Sequence, residues 1–306
     1  MKSSTVTSPL VVKNLGKSFK KVTALRDVSF EIPEGRVVGL LGRNGAGKTT
    51  LLDLACGLLL PTSGEITTLG RSARELDSPE LTRLGVVRQE GRFVEWMTVA
   101  QQLDFTASFY PNWDEVLEKR LIEELELNPT RKIVQLSQGD QQKLSIMLGV
   151  CHHPKLLLLD EPMSALDPII RARFLDLILE RLRDDGCTVV ISSHLLGDVE
   201  KVMDWVVCLD AGELAVSAPF DELQESYAEW MVTAPTGGLP EKFVEPFVLQ
   251  HEGGPRQARV CVSSEDNAEA SRNFATTYRA EVKSRSLNLE EMFPHLLKLR
   301  NGRAAK

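Results

Sequence analysis

Short apolar runs rich in Val and Leu recur at residues 36–41, 84–88, 155–160, 187–192 and 204–209, with stretches of helical character between them. Strands that are apolar on both faces are those covered on both sides, so the pattern predicts a parallel sheet flanked by helices. Ahead of it, Leu10–Lys13 and Val28–Ile32 predict strands of a small antiparallel layer, with Pro33-Glu34-Gly35 turning the chain. Residues 97–152 break this alternation. Thr98 is placed to cap a helix reaching Tyr110, Trp113–Leu125 predicts a second, and Gln138–Cys151 a third. Within this all-helical insertion Phe105, Phe109, Tyr110 and Trp113 gather around Pro111. They read first as the insertion's own core and second as part of a partner groove, since exposed aromatics favour interfaces.

Past Glu222 the character changes again. Trp230–Val232, Phe243–Leu249, Ala258–Val262 and Ala280–Val282 predict strands, and Ala268–Tyr278 and Asn288–Leu299 predict helices. Pro235–Pro240 reads as a turn inside this region. The expected organisation is therefore an α/β core over residues 10–222, with its helical subdomain at about 97–152, followed by a small α+β accessory domain over 223–306.

Length and composition fit this division: 306 residues, 42% of them hydrophobic and 26% charged, suit a globular chain of about two domains. A net charge of −7 argues against an extended nucleic-acid surface, and no nucleic-acid partner is expected. Five cysteines without paired spacing fit a reducing cytoplasm, and none is assigned to a disulfide. Cys151-His152-His153 resembles metal-ligand chemistry, but adjacent residues at a helix end point apart, so a structural role is expected. No window approaches the roughly 18 apolar residues that cross a bilayer, and residues 1–8 lack a leader's apolar stretch. Any action at a membrane would need spans from other chains.

The sharpest chemical signal is Gly42-Arg43-Asn44-Gly45-Ala46-Gly47-Lys48-Thr49, which follows the run 37–41 and leads into Thr50-Leu51-Leu52. Strand, glycine-rich loop and helix in that order form a P-loop, whose backbone N–H groups cradle a triphosphate. Lys48 supplies a point charge for the β/γ-phosphates, Thr49 a hydroxyl for Mg²⁺, and the helix its positive dipole end. A second motif, Leu156–Leu159 followed by Asp160-Glu161, is a buried run ending in two carboxylates. One can serve the metal shell and the other the attacking water, which is what phosphoryl transfer asks of side chains.

Between them stands Leu136-Ser137-Gln138-Gly139-Asp140, which resembles the signature segment of ABC-type ATPases. Phe19 at the adenine-stacking position, Gln89 in the Q-loop, Ser164-Ala165-Leu166-Asp167 in the D-loop and His194 in the switch region occur in the family's order. The resemblance implies a P-loop NTPase of ABC ATPase fold that binds ATP and Mg²⁺ and hydrolyses ATP. It implies that Phe19, the loop Gly42–Thr50, and Ser137 and Gly139 of an opposing subunit contact nucleotide. By the same resemblance Thr49, Gln89 and Asp160 hold Mg²⁺, Glu161, His194, Gln89 and Lys48 act in hydrolysis, and Asp167 links two sites in a dimer. The chain departs from the family at Gln138, Asp140 and Phe19, which stand where Gly, Gln and Tyr are usual. Asp140 either weakens closure by its charge or caps its helix.

The tail segment Ser286–Phe293 is similar to the closing helix of exporter-type subunits. The resemblance therefore implies the ATP-binding subunit of a drug, peptide or lipid exporter. Such a subunit would work with a second ATPase chain and separately encoded polytopic membrane subunits, at the inner face of the cell membrane. The alternative is a non-transport ATPase that remodels a soluble partner.

Overall fold

The computed structural model describes residues 8–297. The chain divides between Ser217 and Ala218 into two compact units. In the first come β1 (Leu10–Phe19), β2 (Val22–Ile32), β3 (Val37–Gly42), α1 (Lys48–Ala55), β4 (Ser63–Thr68), β5 (Arg71–Ser72), α2 (Ser78–Leu81) and β6 (Leu84–Val87). The helical insertion holds α3 (Val99–Ala107), α4 (Glu115–Glu124) and α5 (Gln138–Val150). There follow β7 (Leu156–Asp160), α6 (Pro168–Asp185), β8 (Thr188–Ser192), α7 (Leu196–Val199), β9 (Trp205–Asp210) and β10 (Glu213–Pro219), whose end crosses the division.

Two sheets result. The antiparallel layer has the order β2-β1-β4-β5, and the larger sheet β10-β9-β3-β8-β7-β6. In the latter β3 pairs parallel with β8 and β9, and β7 with β8 and β6. Every residue of β7 and β8 is buried, as strands covered on both faces require. The five apolar runs became β3, β6, β7, β8 and β9, each within a residue or two of its expected bounds.

The helical insertion departs from expectation in two ways. α3 stops at Ala107, short of Tyr110, and α4 starts at Glu115 rather than Trp113. The second start is set by Asp114, whose Oδ1 accepts the N–H groups of Val116 (2.9 Å) and Leu117 (2.8 Å). The aromatic cluster is also not one core. Val99, Gln102 and Leu103 form the buried stripe of α3. Phe105 and Phe109 lie off it, 46% and 63% exposed, and stack edge to face at 5.2 Å. Tyr110 and Trp113 turn inward: Tyr110 stacks on His152 at 4.1 Å, and Trp113 Nε1 donates to Glu118 Oε2 at 2.6 Å.

Cys151-His152-His153 has the structural role expected. His153 lies 2.9 Å from Asp114 Oδ2 and 3.0 Å from Asp185 Oδ2, and Arg181 reaches the same Asp185 oxygen at 2.9 Å. This network joins the start of α4 to the end of α6. No disulfide links the five cysteines, and among the described residues no cluster suits a metal ion.

The second unit contains α8 (Phe220–Ser226), β11 (Tyr227–Thr233), β12 (Val248–Gly253), β13 (Gln257–Ser263), α9 (Asn267–Tyr278), β14 (Glu281–Ser286) and α10 (Leu289–Leu296). Its antiparallel sheet has the order β12-β13-β11-β14 around the fully buried Trp230. The division falls a few residues ahead of the expected 222/223 break, because α8 belongs with this unit. The strand expected at 243–249 is instead a loop followed by β12. Pro246 interrupts the run, and Phe243 anchors the loop by packing 5.1 Å from Phe274 and 5.2 Å from Tyr278. β14 extends well past the expected Val282. The final helix is capped at Asn288 by a reciprocal box with Glu291; its expected last residues, 298 and 299, lie outside the described residues.

His152 generates a prediction. Burial pushes its pKa from 6.5 down to about 4, so the folded ring is neutral while the unfolded one protonates first on acidification. Its stabilising share is therefore full above about pH 6.5 and lost toward about pH 4, by on the order of 3 kcal/mol. His152→Gln should flatten that part of the stability profile in urea titrations. Identical slopes in the two proteins would contradict it.

Candidate active site

The loop after β3 ends in Gly47, which caps α1 with φ 102°. A Cβ there would lie 2.6 Å from Leu25 Cδ2 and 2.7 Å from the Ala24 carbonyl oxygen, so the loop is wedged against β2 and only glycine fits. Lys48 is buried, and its Nζ donates to the Gly42 carbonyl at 2.8 Å and the Arg43 carbonyl at 3.4 Å. The ammonium thus sits in the curl of its own loop. Arg43, Asn44, Gly45 and Thr49 are exposed, Thr50 is half-buried and Ala46 is buried. No acidic residue occupies the first turn of α1, which leaves its positive end to attract an anion.

Beside it the parallel register places Asp160 opposite Ser192. The Ser192 hydroxyl donates to Asp160 Oδ1 at 2.7 Å and accepts the Glu161 N–H at 3.0 Å. Glu161 adopts a left-handed backbone, φ 49°, a conformation costly for a non-glycine residue and found at functional sites. Its Oε2 accepts the His194 N–H at 3.2 Å and lies 2.7 Å from His194 Nδ1. The carboxylate is mostly buried while the imidazole is mostly exposed. Lys48, Asp160, Glu161 and His194 therefore cluster at the ends of β3, β7 and β8. Gln89 is exposed two residues past β6, the neighbour of β7. Asp160, the Thr49 hydroxyl and the Gln89 amide oxygen are the hard oxygen donors that Mg²⁺ prefers.

Ser137, Gly139 and Asp167 form a second group. Ser137 caps α5, its Oγ accepting the Asp140 N–H at 3.1 Å and donating to Asp140 Oδ2 at 2.8 Å. Gly139 packs on the D-loop so tightly that a Cβ would stand 2.9 Å from the Ala165 carbonyl oxygen. Asp167 caps α6, accepting the N–H groups of Ile169 and Ile170, which hold its pKa below the usual range. The Asp140 carboxylate is paired with cations of its own subunit. Partial burial would raise its pKa, but Ser137, Lys143 (3.1 Å) and Arg131 (3.9 Å) together lower it. Phe19 is held separately at the end of β1, exposed on one side, with Lys17 Nζ 4.8 Å from its ring centroid.

A family profile described as "ABC transporter" matches residues 25–164. The ABC transporter ATP-binding protein YxlF of Bacillus subtilis (strain 168), described as uncharacterized, is 36% identical over 221 residues, 71% of this chain and 72% of its own length. The chain belongs to the ABC transporter family. It is a single ATP-binding cassette of P-loop α/β fold and an ATPase. The bacitracin transport ATP-binding protein BcrA of Enterococcus faecalis is 27% identical over 294 residues, covering 93% of this chain and 95% of its own. Among solved structures, an ATP-binding subunit of an ABC transporter superposes with TM-score 0.65 at 27% identity, over 71% of this chain and 92% of that one. The cassette MJ0796, in a dimeric post-hydrolysis state bound to ADP and Pi, superposes with TM-score 0.61 at 27% identity, over 69% and 98%.

Ser192 is the residue that sequence reasoning passed over, although it stands two places ahead of His194. Ser192→Ala should cost about 1–2 kcal/mol of stability and slow hydrolysis about 10- to 100-fold, as loss of a supporting hydrogen bond does. ATP binding should persist. Phosphate release at the normal rate in the folded variant would remove Ser192 from the site.

Proposed function

We propose that this cassette hydrolyses Mg²⁺-ATP at an interface between two ATPase subunits and drives an exporter of drug, peptide or lipid type. The observation that carries the export reading is the similarity to BcrA, a bacitracin transport protein, which runs through both units rather than the cassette alone. A lantibiotic transport ATP-binding protein, SrtF of Streptococcus pyogenes, is a further relative, 32% identical over 69% of this chain. No described helix is long and apolar enough to cross a membrane, so the proposed partners are separate polytopic subunits that hold the cassette at the inner face.

In this reading the loop from Gly42 to Thr50 wraps the triphosphate, and Lys48 leaves its carbonyl partners for the β/γ-phosphates. Phe19 stacks on adenine. Thr49, Asp160 and Gln89 hold Mg²⁺, which when bound neutralises charge on the β- and γ-phosphates. Glu161 takes the proton of the attacking water, and His194 orients it through the 2.7 Å contact. The turn at Ser137 and Gly139 presents its N–H groups to the nucleotide of the opposing subunit, and Asp167 joins the two sites. A cavity of about 330 Å³ beside Phe93, Ile133 and Val134, close in sequence to the exposed Trp96, is the proposed dock for a membrane subunit's helix.

Lys48→Ala should abolish ATP binding. In the parent, ligand at about 100 times its dissociation constant should add roughly 2.7 kcal/mol of stability, and an equal thermal shift in the variant would contradict the site. From detergent-solubilised membranes the full chain should co-purify with a polytopic protein, and Trp96→Asp or Phe93→Asp should release it. Exclusive association with a soluble protein would overturn the transport reading.

A further inference from the structure

Among the described residues β6 is an edge strand, paired with β7 through Leu84–Val87. Arg88 is the first residue past that ladder and immediately precedes Gln89. What holds the chain there is a side-chain contact: one guanidinium nitrogen of Arg88 lies 3.2 Å from Asp53 Oδ1 and the other 3.4 Å from Asp53 Oδ2. Asp53 belongs to α1, four residues after Thr49, and so stands on the same helix face one turn along. The two side chains are 33% and 19% exposed, shielded enough that their attraction is not that of a fully solvated surface pair.

Asp53 also has a neighbour of its own sign. Burial raises its pKa and Asp160 raises it further, while Arg88 and Arg92 oppose them. Without Arg88, a part-buried carboxylate would face the Asp160 carboxylate with less compensation. The loss would be felt at the group proposed to hold the metal.

We infer that the Asp53–Arg88 pair is a positioning device for hydrolysis, fixing the departure of Gln89 relative to the helix that carries Lys48 and Thr49. It rests on the roles of Gln89, Thr49 and Asp160 proposed above. Neither Asp53 nor Arg88 touches the reacting atoms in this account. They act through Gln89 and Asp160, by geometry and by charge. An arginine suits the task because its rigid fork meets both oxygens of one carboxylate.

The test uses the full chain with Arg88→Ala, Arg88→Lys, Asp53→Asn and the Arg88→Ala/Asp53→Asn double variant. ATPase turnover is followed against Mg²⁺ concentration, and binding of a fluorescent ATP analogue is measured without Mg²⁺. Arg88→Ala and Asp53→Asn should each lower turnover about 10- to 100-fold, the range for groups that orient metal ligands. They should also raise the Mg²⁺ concentration at half-maximal rate and leave metal-free nucleotide affinity unchanged. The double variant should be no worse than the weaker single one, and Arg88→Lys should recover part of the loss. Normal turnover in Arg88→Ala, strictly additive losses, or unfolding of both single variants would overturn the inference. Normal turnover and normal Mg²⁺ dependence in Gln89→Ala and Asp160→Asn would instead refute the underlying reading, so the two failures are distinguishable.

Discussion

The parallel pairing of β7 between β6 and β8 is the constraint on which the site depends. Because the registers are Val87↔Leu159 and Asp160↔Ser192, with Leu40↔Ser192 on the far side of β8, the strands end abreast. Their extensions carry the P-loop, Gln89, Glu161 and His194, so residues distant in sequence meet along one sheet edge. Ligand sites in open α/β sheets form outside the carboxyl ends of the strands for this reason. Ser192 makes the alignment chemical as well as geometric: one hydroxyl bonds the carboxylate of Asp160 and the backbone of Glu161. A one-residue slip of β8 would lose both bonds.

Two backbone positions beside that edge are left-handed, as are others elsewhere in the chain. Gly47 and Glu161 both have positive φ, and both flank the proposed phosphate position. Charged groups nearby are compensated locally: Lys48 by loop carbonyls, Asp53 by Arg88, and Asp140 by Lys143. Asp140 illustrates the consequence. Its carboxylate is tied to Ser137, Lys143 and Arg131, so the departure from the family's usual residue braces the Ser137 cap and leaves its charge paired within the same subunit.

Much of this was legible in the sequence. The five buried strands announced themselves as continuous apolar runs, and the P-loop and Asp160-Glu161 are local motifs whose spacing carries their chemistry. What escaped had tertiary causes. Phe105 and Phe109 counted as core by composition, yet the stripe of α3 faces elsewhere. Phe243 sits in a core while its neighbours form no strand, because Pro246 lacks a donor. Ser192 and the Asp53–Arg88 pair are invisible to motif reading, since a serine at a strand end and an ion pair 35 residues apart become meaningful only once the sheet is assembled.

The proposed site is composite: the strand-end cluster of one subunit is closed by the Ser137–Gly139 turn of another. Sedimentation of the Glu161→Gln variant tests this most directly, because the amide keeps the side chain's size but cannot accept the water's proton. In Mg²⁺-ATP the variant should sediment as a stable dimer, and without nucleotide as a monomer. A monomer at high concentration in saturating Mg²⁺-ATP, with nucleotide bound, would contradict the account.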